Sequence, residues 1–181
     1  MVKDLQKKVS LFGKHPLSSE YLYFGENSEF MNSLIKWVDT GYETLLQSRT
    51  FIKKEMHHFC FVNKESDSFI CGTIKSSQDN KHRKYPLVIA VEISPYSFFQ
   101  DLQEFREYLK SINKQIVEIF KKEYSLEELK DDLKKLSNSK NILDDKKDIF
   151  SAMFMNEDFS QTEMFFRPLE INDFVNMMKV R

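Results

Sequence analysis

At 181 residues the chain suits a single domain (1–181) and is long enough to bury most of its apolar surface. Its 41% hydrophobic and 30% charged residues are ordinary for a globular protein, and its 17 Phe imply a core of large rings. A formal net charge of −1 supplies no global field for nucleic acid or anionic membrane, and no apolar run approaches the roughly 20 residues that cross a bilayer. The N-terminal residues Met1-Val-Lys-Asp-Leu-Gln-Lys-Lys are too polar for a signal peptide, and two cysteines then suit a reducing compartment. The expected location is the cytoplasm, with no membrane insertion and no nucleic-acid partner.

In chain order, Val9 to Gly13 reads as a short strand that stops at Gly13-Lys14-His15-Pro16, since proline cannot donate to a ladder. Glu20 to Phe24 is a second short strand. From Ser28, apolar residues at Phe30, Met31, Leu34, Ile35, Val38, Tyr42, Leu45 and Leu46 predict a helix with one wide apolar face. Residues 57–63 and 68–74 predict a hairpin. Symmetric folding sets Phe59 opposite Gly72, Cys60 opposite Cys71, Phe61 opposite Ile70 and Val62 opposite Phe69. Both faces of that hairpin are apolar, so each needs a cover.

Leu87 to Ile93 is apolar almost throughout and reads as a central strand. A long helix from Phe98 to Phe120 follows, its apolar residues spaced by three and four; packing on the sheet is preferred to a coiled-coil seam. Ser125-Leu-Glu-Glu128 is a capping box opening a third helix with Leu126, Leu129, Leu133 and Leu136 inward. Ser137 to Lys147 reads as a polar loop, Phe150 to Met155 as a further candidate strand, and Glu170 to Lys179 as a terminal helix. The expected fold is α+β, a three-layer sandwich. A five-stranded, mostly antiparallel sheet has the first helix on one face and the second and third on the other, similar to longin-like folds.

Chemistry-bearing residues concentrate in the loop from Ser76 to Pro86. Ser77, Asp79 and Arg83 could be cast as nucleophile, acid and oxyanion clamp, with His82 nearby. No Gly-x-Ser-x-Gly elbow surrounds Ser77, however, and loop Ser and Asp residues more often bond their own backbone. A hydrolase using Ser77–Arg83 is therefore the weakest reading, and no catalytic residue is assigned. His57 and His58 are adjacent on a strand and point to opposite faces, so no metal site is expected. Cys60 and Cys71 are expected to be reduced and buried. Gly13-Lys14 lacks the rest of a phosphate loop, and no cofactor is assigned. Lys81, His82, Arg83 and Lys84 form a basic knuckle too small for duplex DNA but large enough to meet an acidic or phosphorylated partner, although solvated loop charge is the preferred reading of these residues alone.

The order Gly72-x-x-x-x-Ser77-x-Asp79-x-x-x-Arg83-x-Tyr85-Pro86-Leu87 resembles the signature of the TagF family of type VI secretion accessory proteins. Gly13-Lys14-x-Pro16 with Glu20-Tyr21, Trp37 with Gly41, Phe59, and Pro168-Leu169 with Phe174 are similar to its other landmarks. Two departures stand out: the family's Pro-Ser is Ser76-Ser77 here, and its Gly-Arg is His82-Arg83. The second replaces a glycine and puts the loop's turn conformation in question. The resemblance implies a cytoplasmic, non-enzymatic, post-translational repressor acting through a forkhead-associated scaffold protein; the alternative is a longin-like structural adaptor. It also implies a partner-binding site around Lys14, Glu20, Ser77, Asp79, Arg83 and Lys84. Within it, Asp79 is expected to pair with Arg83 and, with Lys14 and Glu20, to tie the opening loop to the central one.

Overall fold

The apolar runs assemble into one antiparallel sheet in the computed structural model, which describes residues 5–47, 56–63, 65–95, 102–122, 125–138, 152–156, 162–165 and 171–178. In chain order the elements are β1 (Gln6–Lys14), β2 (Tyr21–Phe24), α1 (Glu29–Gln47), β3 (Met56–Asn63), β4 (Ser68–Lys75) and β5 (Leu87–Ser94). They continue with α2 (Leu102–Lys121), α3 (Leu126–Asn138), β6 (Ala152–Asn156), β7 (Thr162–Phe165) and α4 (Ile171–Met178). The strand order is β2-β1-β5-β4-β3-β6-β7. The five strands expected are present, and β6 and β7 extend the sheet to seven beyond the β3 edge. Phe98, residues 139–147 and Pro168-Leu169 lie outside the described residues, and α3 continues through Ser137 to Asn138.

The β3–β4 register is the one symmetric folding requires: Phe59 faces Gly72, Cys60 faces Cys71, Phe61 faces Ile70 and Val62 faces Phe69. Because opposed residues share a face, the hairpin sends Phe59, Phe61 and Ile70 to one side and Cys60, Val62, Phe69 and Cys71 to the other. α1 and α4 cover the first side, and α2 and α3 the second. The three layers follow from this double-sided apolarity. Cys60 and Cys71 are free thiols, fully buried, and burial pushes both above the ordinary thiol range. They act as small hydrophobes.

Local chemistry sets the helix ends. The Ser28 hydroxyl accepts from the Met31 N–H at 2.9 Å, an N-cap, and bonds the Glu92 carboxylate, which anchors the start of α1 to β5. At α3 the Ser125 hydroxyl accepts from Glu128 N–H at 3.3 Å, while the Glu128 carboxylate accepts from Ser125 N–H at 2.9 Å. That is the reciprocal capping box its sequence announces. Gly41 lets α4 approach α1: a Cβ there would come within 2.3 Å of the Phe174 ring. Phe174 in turn meets Trp37 edge-to-face at 4.9 Å, and Trp37 meets Phe61 at 5.3 Å.

Candidate functional site

The loop between β4 and β5 is a small arch built on hydrogen bonds across its legs. Tyr85 N–H donates to the Ser77 carbonyl at 3.1 Å, Asp79 N–H to the Arg83 carbonyl at 3.1 Å, and Gln78 and Lys84 form an antiparallel bridge. At its tip His82 N–H donates to the Asp79 carbonyl at 3.0 Å, closing a β-turn over Asp79–His82. His82 is left-handed, with φ 60°. Glycine ordinarily fills the left-handed position of such three-residue loops, and histidine tolerates it better than most residues. The glycine-to-histidine departure therefore leaves the turn conformation in place.

Asp79 is the centre of the arch. Its side chain is fully buried, and its Oδ1 accepts from Lys81 N–H at 2.9 Å and Arg83 N–H at 2.8 Å. Its Oδ2 meets Arg83 Nε at 2.7 Å and Lys14 Nζ at 3.2 Å. Burial alone would raise the pKa of this carboxyl. The Arg83 N–H, the Lys14 and Arg83 cations and the Lys81 N–H outweigh it and hold the group well below the usual carboxylate range. The aspartate thus bonds its own loop backbone and two cations at once, leaving it positioned to shape the loop.

The opening segment of the chain locks onto this arch. Gly13 pairs with Leu87 at φ 120°, and a Cβ there would lie 2.0 Å from the Pro86 carbonyl oxygen. Only glycine permits this approach, which joins Gly13-Lys14 to Tyr85-Pro86-Leu87. Asn80 N–H donates to the Ser18 carbonyl at 3.0 Å, and Arg83 Nη2 donates to the Ser19 carbonyl. Lys14, Asp79 and Arg83 are therefore brought together as expected. Glu20 is not part of the tie: its carboxylate accepts from the neighbouring Ser19 hydroxyl at 3.3 Å, and main-chain carbonyls of Ser18 and Ser19 take its place. Carbonyl contacts carry no side-chain signature, so the sequence could not disclose them. Ser77 serves through its carbonyl, and His82 Nδ1 meets Gln78 Nε2 at 3.3 Å. Lys84 is exposed on the outer surface of the arch.

Beneath the arch is a tyrosine cluster that sequence reasoning missed. The Tyr85 hydroxyl donates to the Asp39 carboxylate from α1, while its ring packs edge-on against Tyr21 at 5.4 Å and Tyr42 at 5.1 Å. Burial, then the Asp39 bond, raises the Tyr85 pKa; burial likewise pushes Tyr21 up to about 12. The available signal was Asp39 three residues before Tyr42, on one face of the helix. At the surface Leu17 is 56% and Tyr21 42% exposed, and Lys81, His82, Arg83 and Lys84 of the arch are exposed too. Apolar and cationic groups thus share the outer surface.

Among the described residues no group of three or more metal-ligating side chains converges, and no helix is long and apolar enough to cross a membrane. His57 and His58 point to opposite faces of the sheet, with His58 buried on Thr73 at 2.8 Å.

Residues 10–136 match the family model described as the TagF N-terminal domain, type VI secretion system-associated. Among solved structures, the fold is similar to the crystal structure of PA0076 from Pseudomonas aeruginosa PAO1, with TM-score 0.67 at 10% identity over 94% of each chain. No curated protein matches in sequence.

Proposed function

Because the chain belongs to the TagF family, whose N-terminal domain is type VI secretion system-associated, we propose that it is a non-enzymatic regulator of that system. It acts in the cytoplasm as one TagF-like domain and represses secretion post-translationally by binding a forkhead-associated scaffold protein. The binding surface is the arch, with Lys14, Ser77 and Asp79 holding its shape and Arg83 and Lys84 facing the partner; Glu20 borders it.

The observation that carries this reading is the use made of Asp79. Its oxygens are engaged by two backbone N–H groups and two cations, while the Arg83 side chain remains 53% exposed. Such a network fixes a surface. A general acid or base needs instead a proton-transfer group within reach of a substrate and a pKa near neutrality.

Two measurements test the proposal. Deleting the gene should raise effector secretion; unchanged or reduced secretion would sink repression and favour an adaptor. Purified Arg83→Ala and Lys84→Glu variants, folded by circular dichroism, should bind the forkhead-associated protein about tenfold or more weakly. Full affinity in both would remove the arch from the interface.

A further inference from the structure

We propose that the cleft between β1 and α3 is a docking site for an acidic peptide segment of a partner protein, one that carries a single apolar or aromatic anchor. This goes beyond the regulatory reading above and does not use the arch. Lys7 and Lys14 lie at opposite ends of β1, so the two surfaces are about 20 Å apart along the strand.

The cleft has a volume of about 330 Å³ and opens between Lys7-Lys8-Val9, the β2 end at Phe24, and the α3 stripe Lys130, Leu133, Lys134 and Ser137. Positions 130, 133, 134 and 137 recur by three and four, so one side of α3 presents them together. Its floor is apolar: Val9, Phe24 and Leu133. Lys7, Lys8, Lys130 and Lys134 are among the lining residues, against one carboxylate, Glu26.

Two acids of α3, Asp132 and Glu128, are engaged elsewhere. Asp132 pairs with Lys122 at 2.8 Å and Lys135 at 2.7 Å, and Glu128 is held in the cap by Ser125. The contacts of Lys8, Lys130 and Lys134 are weak or apolar. Lys130 lies over the Phe24 ring at 4.6 Å and Lys7 over Tyr108 at 5.7 Å, while Lys8 meets the exposed Glu26 at 3.5 Å and Lys134 meets Asp131 at 3.6 Å. Exposed pairs at such distances are easily exchanged for a new anion. Burial lowers the Lys7 amine pKa, with Cys71 opposing, so a carboxylate arriving beside it would also strengthen its charge.

Charge and shape together choose the occupant. Four lysines around an apolar floor suit alternating carboxylates and one buried side chain. A nucleic acid would need a longer track of phosphate contacts, and a bilayer would need a projecting rather than recessed apolar group.

The test titrates the whole chain with a fluorescent synthetic peptide of glutamates and aspartates around one central phenylalanine. Saturable binding should weaken with added salt, as expected for charges within a Debye length of about 8 Å near physiological strength. The doubly exposed variant Lys130→Glu/Lys134→Glu should bind about tenfold or more weakly. Lys135→Glu, the same charge change on the other side of α3, should bind like the unaltered chain. Methyl resonances of Leu133 should shift on binding, and replacing the peptide's phenylalanine by alanine should weaken it. The proposal is overturned if the unaltered chain does not bind, if Lys135→Glu is as damaging as the double variant, or if Leu133 does not respond. Binding of phosphatidylserine vesicles or single-stranded RNA with the same dependence on Lys130 and Lys134 would also overturn it.

Discussion

Both faces of the sheet are buried, but they are built from different residues. Under α1 and α4 rings take a larger share of the contacts, among them Trp37, Tyr42, Phe59, Phe61, Tyr85 and Phe174. Under α2 and α3 the contacts are largely aliphatic: Leu109, Ile112, Ile116, Leu129, Leu133 and Leu136 pack on Ile89, Val91 and Ile93. The residues that resemble TagF landmarks lie mostly on the first face and its loop end, as Trp37, Gly41, Phe59, Tyr85, Pro86 and Phe174 do, while Leu87 packs on the second. Edge-to-face rings and a glycine seat demand particular partners, whereas an aliphatic layer tolerates exchange at constant volume. One face is therefore specified residue by residue, and the other mainly by its pattern.

The largest effect expected tests whether the pattern face is as essential to folding as the specified one. Phe105 is fully buried and meets Phe69 edge-on at 5.0 Å. Phe105→Ala should destabilise the fold by about 3–5 kcal/mol in urea denaturation, a large share of typical net stability. Phe105→Leu should recover much of that loss, since the site asks for volume more than for a ring. If alanine left stability intact, α2 would not be a structural cover.

On the specified face, Gly41→Ala should cost about 1–3 kcal/mol, the usual range for overpacking. The new methyl would meet the Phe174 ring at 2.3 Å, so ring and α4 must shift. Hydrogen exchange should show α4 amides opening more readily while α2 amides are unaffected. Equal loosening of both helices would mean the two faces are not separable in this way.

The same contrast explains what could be read in advance. Double-sided apolarity in Phe59–Ile74 required two covers, and the hairpin register followed from opposed residues sharing a face. The three-and-four spacing of apolar residues located α2, and the Ser125–Glu128 capping box located α3. What escaped was β7 and the ties of Ser18 and Ser19, because a short strand on a sheet edge and a backbone carbonyl leave little side-chain signal. The Asp39–Tyr85 bond escaped for another reason: a carboxylate on a helix surface has many possible partners, and only the packed fold selects one.

The arch can be tested through pH. Asp79 titrates from an ordinary value of 3.8 when unfolded and well below that when folded, so its contribution is present above the unfolded value and is lost as pH falls through the folded one. Asp79→Asn keeps the shape but loses charge. Its melting temperature should fall short of the unaltered chain's by a constant amount above about pH 5, and the gap should narrow below about pH 4. A gap that widened on acidification would mean that Asp79 is not the anion around which Lys14 and Arg83 are organised.

The smallest effect concerns His82. A non-glycine residue in the left-handed region carries a cost of about 1–2 kcal/mol, reduced for histidine, whereas glycine adopts it freely. Against this, glycine gives the unfolded chain more conformations to lose, by about 0.4–1 kcal/mol. His82→Gly should therefore leave stability within about 1 kcal/mol of the starting chain. The Gln78 contact at 3.3 Å is exposed and offsets little. The variant should preserve the Asp79–Arg83 pairing, seen as unchanged amide shifts at Lys81 and Arg83. His82→Val asks the same turn of a β-branched residue, which resists positive φ, and should disorder the arch while leaving α1, α2 and the sheet protected from exchange. If valine were tolerated as well as glycine, the turn would not require the left-handed conformation. The arch would then hold its shape through Asp79 and the Gly13–Pro86 approach alone.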